Sequence, residues 1–223
     1  MSIGRLSGLQ QRVLELLATV EPPWTLVGGA ALVGFHTRHR ETRDLDLFFR
    51  PLRSLGEAVD AVRRRLEAGG LAVAMLQSSP AFCRLDVRAG EESVVVDLVA
   101  DPTPIAEPPA TVSMGAATIL VETPHQLLIN KLCALLSRAE LRDLVDVRAL
   151  LDAGGELDRA LAACPDHDAG FSPLTFGWTL RGLPVRRLGA ALGWAEPDLA
   201  DLEAFRDWLV AQVVDGARPD SDG

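Results

Sequence analysis

Asp44 and Asp46 stand one residue apart at the start of the run DLDLFF, and the pair Gly28-Gly29 precedes them. In an extended strand, residues i and i+2 point to the same face. Two carboxylates that close repel unless something positive lies between them. A divalent cation resolves the repulsion, and Mg²⁺ is commonly held by one or two carboxylates plus substrate phosphates. A glycine turn that can approach phosphate, followed by paired carboxylates, reads as a site for a metal–nucleotide complex. Asp97 is the third piece, an ionisable residue inside the apolar run VVVDLVA. A buried carboxylate without a partner is costly. With its strand beside that of Asp44 and Asp46, three carboxylates would converge. Two-metal nucleotidyl transfer needs that arrangement, and Asp97 could also accept the proton of an attacking hydroxyl. The competing readings are structural: Asp97 paired with an arginine, and Asp44 and Asp46 as a solvated strand end paired with Arg40 and Arg43.

The elements that must position these residues are legible in outline. Apolar residues at helical spacing predict a helix over 4–20, stopped by Pro22-Pro23. Trp24–Val27 reads as a strand, Gly28-Gly29 as a turn, Ala30–Arg38 as a helix and Leu45–Phe49 as the next strand. A helix over Leu55–Glu67 ends at Gly69-Gly70. Three strands follow, Leu71–Gln77, Phe82–Val87 and Ser93–Val99. The last is so apolar that it is expected in the sheet centre, buried on both faces. Asp101–Pro109 reads as a loop and Thr118–Glu122 as a final strand. From Thr123 the pattern is helical, with breaks near Gly154-Gly155, Pro165–Pro173 and Gly193–Pro197. The expected organisation is α+β, with a mixed sheet and flanking helices in residues 1–123 and a helical domain in 124–223. The polar tail 215–223 is expected to be disordered.

Composition narrows the class. A chain of 223 residues is long enough for a sizeable core, and no apolar stretch reaches membrane-spanning length. The N-terminus reads as an amphipathic helix and not a signal peptide. Cys83, Cys133 and Cys164 lack C-x-x-C spacing and suit a reducing cytoplasm, not disulfides or zinc. The net charge of −9 speaks against a general nucleic-acid-binding surface. Among the 22 basic residues the only lysine is Lys131. Lysine is a compact point charge suited to a phosphate oxygen. Asp86, flanked by Arg84 and Arg88, reads as a surface strand residue. His36, His39 and His167 lack the partners of a metal site, and Arg63–Arg65 reads as a solvated helix face.

The run GGAALVGFHTRHRETRDLDLFF resembles the first motif of the polymerase-β-like nucleotidyltransferase superfamily. It is most similar to AbiEii/AbiGii-type nucleotidyltransferase toxins, which include the mycobacterial MenT group. Their first block reads approximately GGTAL…HRxSxDLDFF. The chain matches it at Gly28, Gly29, Ala31, Leu32, His39, Arg40, Asp44, Leu45, Asp46 and Phe48, with Thr42 in the serine position. Asp97 matches the lone aspartate of the second block. Lys131, Ala134 and Arg138 match a K-x-x-A-x-x-x-R helix, and Arg142, Asp143, Asp146 and Val147 match R-D-x-x-D-[LV]. The resemblance spans residues 24–150.

The resemblance implies a nucleotidyltransferase using Mg²⁺ or Mn²⁺ and an NTP. Asp44, Asp46 and Asp97 would hold metal. Gly28, Gly29, Arg40 and Thr42 would border the nucleotide, and Lys131 would contact its phosphates. Arg142, Asp143 and Asp146 would position it. The acceptor would be RNA, with the tRNA 3′ end foremost, and the partner a separately encoded antitoxin. An RNA acceptor requires a local basic rim, expected from Arg38, Arg40, Arg43, Arg50, Arg53 and the arginines of 138–148. The rivals are a small-molecule nucleotidyltransferase similar to aminoglycoside- or lincosamide-modifying enzymes, and a catalytically idle NTP-binding protein. A phosphate on Thr42, two residues before Asp44, would compete for metal and silence the enzyme.

Overall fold

The structure is a computed structural model and describes residues 6–216. It divides into two compact units, 1–127 and 128–223, with the boundary inside one helix. The first unit opens with α1 (Gly8–Leu17), fixed by a reciprocal cap in which Ser7 and Gln10 each bond the other's backbone N–H. The Trp24 indole closes its other end on the Leu17 carbonyl at 2.9 Å. Next come β1 (Thr25–Val27) and α2 (Gly28–Ala31), which widens into a π-turn over Leu32–His36. Then follow β2 (Asp44–Phe49), α3 (Ala58–Ala68), β3 (Ala72–Ser78), β4 (Phe82–Ala89), β5 (Glu92–Ala100), β6 (Ala110–Met114) and β7 (Ala117–Val121).

The strands form one seven-stranded mixed sheet in the order β3-β4-β5-β2-β1-β7-β6. β2 runs parallel to β5 and antiparallel to β1, and β4 runs antiparallel to β5. One face is apolar, where Leu45, Leu47 and Phe49 of β2 align with Val96 and Leu98 of β5, all fully buried. Each such side chain contributes roughly 1.5–3 kcal/mol. The other face of β5 carries Val95 and Val99, both only half-buried, and Asp97. The expectation of a strand buried on both faces is therefore corrected. Its unbroken apolar run reflects two valines on a partly open face. At the edge strand β3, the register slips between Met75 and Gln77, so Leu76 bulges out of the ladder.

β6 has no counterpart in the sequence-based expectations. Its residues, ATVSM, hold too few apolar side chains to register, and the hairpin turn through Gly115 (φ 59°) creates it. The loop 101–109 is irregular as expected. It is tied down where Asp101 accepts Arg50 at 2.9 Å and Thr123 donates to Glu107 at 2.8 Å.

The helical elements are α4 (Pro124–Arg138), α5 (Leu141–Asp152), α6 (Leu157–His167), α7 (Pro173–Arg181), α8 (Val185–Ala191) and α9 (Glu196–Gly216). α9 packs against α5, α7 and α8, burying Leu199, Leu202, Leu209 and Val213. The three expected breaks are present, between α5 and α6, between α6 and α7 and between α8 and α9, with Pro165 itself lying in the last turn of α6. A further break, between α4 and α5, comes at Ala139, whose φ of 50° is left-handed without glycine's advantage. Of the expected tail, Asp215 and Gly216 end α9, and 217–223 lie outside the described residues. Residues 4 and 5 of the first expected helix also lie outside them. No helix among the described residues is long and apolar enough to cross a membrane.

Candidate active site

The register of the central strands sets the site. Asp46 of β2 lies directly beside Asp97 of β5, and Asp97 lies directly beside Arg84 of β4. One step along, Asp44, Val95 and Asp86 form a second row across the same strands. Because side chains alternate, Asp44, Asp46, Asp86 and Asp97 share the face opposite the apolar one. Asp97 is only 6% exposed and Asp86 9%. Asp86 is thus no surface residue: the Arg88 guanidinium, two positions on, covers it at 2.6 Å in place of water.

Asp97 is held in a two-pronged grip. Arg84 Nε donates to Oδ1 at 2.8 Å and an Nη donates to Oδ2 at 2.6 Å, the planar fork geometry of a strong arginine–carboxylate pair. That hydrogen bonding and the charge of Asp97, with smaller contributions from Asp44 and Asp46, push the guanidinium above its usual value. Arg84 therefore senses all three aspartates. The competing reading of an arginine partner for Asp97 is borne out, but sequence reasoning did not identify Arg84 as that partner. The alternation Arg84-x-Asp86-x-Arg88 was its only signal, and the partner across the strand depends on register.

The turn beside these carboxylates explains its glycines. Gly28 has φ 63°, and a Cβ there would lie 2.3 Å from Asp46 Oδ2. Only glycine lets the backbone approach this closely. A Cβ on Gly29 would meet the Arg40 guanidinium and the Thr42 hydroxyl, each at 3.0 Å. Thr42 donates to Asp44 Oδ1 at 2.8 Å, and Gln10 of α1 donates to the Thr42 carbonyl at 3.2 Å. A cleft of about 400 Å³ adjoins Thr42, lined by Ser7, Gln10, Thr42, Arg43, Ser93, Val94 and Val95 and by none of the three aspartates. His36 and His39 are structural: His36 Nε2 meets the Glu122 carbonyl at 2.8 Å and His39 Nδ1 the Thr37 hydroxyl at 2.7 Å.

The donors suit a hard cation such as Mg²⁺ or Mn²⁺, since all three are carboxylates. Asp44 and Asp46 fit as a pair on one strand. As the side chains stand, no group of three or more His, Cys, Asp or Glu among the described residues is arranged to hold a metal ion. The expected three-carboxylate set, Asp44, Asp46 and Asp97, lies on one face of the sheet. Its backbone register is in place, but Arg84 occupies both oxygens of Asp97.

The second unit holds the other motif residues. Lys131 of α4 is 7% exposed and lies 2.9 Å from Asp143 and 2.8 Å from Asp146 of α5. Both aspartates are fully buried, and Arg138 grips Asp143 with bonds of 2.7 and 2.8 Å. Burial alone would raise the Asp143 carboxyl, but Arg138 and Lys131 outweigh it and hold it below the usual carboxylate range. Asp143 and Asp146 are therefore not surface pairs; they cross-link α4 to α5. Arg142 points elsewhere, to Glu140 at 2.6 Å. Of the expected basic rim, Arg50, Arg138, Arg142 and Arg148 are each paired with carboxylates, while Arg43 lines the cleft beside Thr42.

Residues 12–170 match the family model described as "Nucleotidyl transferase AbiEii toxin, Type IV TA system". The chain belongs to the AbiEii nucleotidyltransferase toxin family. It is accordingly a nucleotidyltransferase of α+β fold, as the sequence motifs imply. Among solved structures, this AbiEii-family chain is similar to MenT4, a nucleotidyltransferase toxin from Mycobacterium tuberculosis. The TM-score is 0.61 at 20% identity, over 93% of this chain and 82% of that one. It is also similar to JHP933 from Helicobacter pylori, with a TM-score of 0.57 at 14% identity over 94% and 92% of the two chains. At these identities the likeness is one of fold. No curated protein matches the chain.

Proposed function

We propose that this toxin transfers a nucleoside monophosphate from an NTP to a hydroxyl at the 3′ end of RNA, with tRNA as acceptor. A separately encoded antitoxin would hold it in check. The observation that carries the reading is the β2–β5 register, which sets Asp46 beside Asp97 with Asp44 on the same face next to a glycine turn. When bound at Asp44 and Asp46, Mg²⁺ or Mn²⁺ would neutralise charge on the triphosphate oxygens. Thr42 orients Asp44, and Gly28-Gly29 lets the backbone approach the phosphates while Arg40 lies alongside. Asp97, once an oxygen is released from Arg84, would join Asp44 and Asp46 at the metal or take the proton of the attacking hydroxyl. The new oxygen–phosphorus bond forms at the α-phosphate as the bond to the β-phosphate bridge breaks, and pyrophosphate leaves. Lys131 shares its charge with two buried aspartates, and we assign it first to the α4–α5 cross-link.

The test incubates purified protein with α-labelled NTPs and either deproteinised tRNA or an aminoglycoside panel. Label on RNA, lost in Asp46→Asn, is the expected result. Label on the drugs alone, or on neither, overturns the proposal. Growth arrest on expression, relieved by Asp44→Ala, is the matching cellular result.

A further inference from the structure

Arg50, Arg84 and Arg88, in or next to the first unit's sheet, each grip carboxylates. Arg88 is more exposed than Arg84, but Val95 separates its partner Asp86 from Asp44, so the informative contrast is between Arg50 and Arg84. Arg50 bridges Asp101 and Glu122 with its side chain only 14% exposed and its partners at 13% and 2%. That is a buried structural pair. Arg84 grips Asp97 just as tightly, yet its side chain is 44% exposed while Asp97 is 8%. The carboxylate is fixed in the sheet and the guanidinium is free to leave on the solvent side. The same guanidinium lies over the Phe82 ring, two residues back on the same face, 5.7 Å from Cζ to the ring centroid, a contact it can keep when it leaves Asp97. Without the guanidinium, Asp97 would stand uncompensated beside Asp46 and Asp44, and like charges at that spacing repel.

We propose that Arg84 is a removable internal counter-ion, which neutralises Asp97 at rest and competes with a divalent cation for that carboxylate. The inference rests on the metal-holding role of Asp44, Asp46 and Asp97. At rest the cation has a two-carboxylate site. The third carboxylate joins only when the fork withdraws, so Arg84 sets the cation concentration at which the full site assembles. Arg84 acts through Asp97 and is a positioning residue. The exchange needs no bond to be made or broken, only the replacement of one cation by another on the same two oxygens.

Free Mn²⁺, followed by its aqueous electron paramagnetic resonance signal, reads the competition directly. The proteins compared are wild type, Arg84→Gln, Arg84→Ala, Asp97→Asn and Arg84→Gln/Asp97→Asn. Expected is a roughly tenfold tighter Mn²⁺ affinity in Arg84→Gln, the size of one lost charge-assisted contact. The gain should disappear in the Asp97→Asn background, as coupling between the two positions requires. A merely structural arginine would give the opposite sign, weaker binding in a damaged site. If both Arg84 variants keep the wild-type circular dichroism and bind Mn²⁺ no more tightly than wild type, the competition is overturned while the metal site stands. If wild type and every variant fail to bind Mn²⁺ even with ATP present, the metal reading falls and takes this inference with it.

Discussion

Replacing Lys131 by methionine keeps the side chain's length and apolar stem and removes its charge. Asp143 and Asp146, both fully buried, then lose the ammonium 2.9 and 2.8 Å away. Asp143 keeps the grip of Arg138. Removing one partner of a buried ion pair typically costs about 3–5 kcal/mol, because the stranded charge stays out of water. For a helical unit of this size, that lowers the melting temperature of its transition by roughly 10 °C or more. The pH dependence gives the signature. The wild-type Asp143 carboxyl titrates below its ordinary value, so its stabilisation is complete above about pH 4 and is lost as pH falls through the lowered value. In Lys131→Met the stranded carboxylates bind protons more readily, and a neutral acid no longer needs the lysine. The gap between wild type and variant is therefore widest at pH 7 and narrows on acidification. Urea unfolding followed by circular dichroism at pH 7 and pH 4.5 measures both points. A variant as stable as wild type at pH 7, or a gap that widens on acidification, refutes the cross-link. Lys131→Met/Asp146→Leu should recover much of the loss.

Gly28→Ala forces a Cβ to 2.3 Å from Asp46 Oδ2 at a φ of 63°. It should destabilise by about 1–3 kcal/mol and lower nucleotidyl transfer on the order of 100-fold, read by melting and by label incorporation. Thr42→Val removes the hydroxyl that orients Asp44 at 2.8 Å. It should cost roughly tenfold in turnover with Thr42→Ser near wild type, and Thr42→Glu should be silent. Burial holds His36 below its usual 6.5, only partly offset by its bond to the Glu122 carbonyl. Its neutral form is thus favoured by folding, so stability is complete above about pH 6.5 and falls as pH drops through the lowered value. His36→Gln should flatten melting temperature against pH across that window.

The parts of the site that were legible in the sequence are those governed by local spacing. The i, i+2 rule puts Asp44 and Asp46 on one face wherever the strand lies, and the glycines announce a turn that side chains cannot make. The neighbour of Asp97 was not legible, because it depends on how β4 returns along β5 from the turn at Gly90. A shift of one residue would have put Leu85, not Arg84, level with Asp97. The burial of Asp143 and Asp146 was hidden for a related reason. R-D-L-V-D-V reads as a charged helix face until α4 presents a lysine to it. The half-open face of β5 was misread because hydrophobicity reports what a residue tolerates, not which side of a sheet lacks a cover.

The bulge at Leu76 in β3 has a bearing on solubility. A straight outer strand would offer an unbroken row of amide and carbonyl groups on which a second molecule could add its own strand, and Met75 and Leu76 are 44% and 58% exposed there. The extra residue interrupts that row midway. Two molecules approaching along this border would meet a ladder interrupted at Leu76.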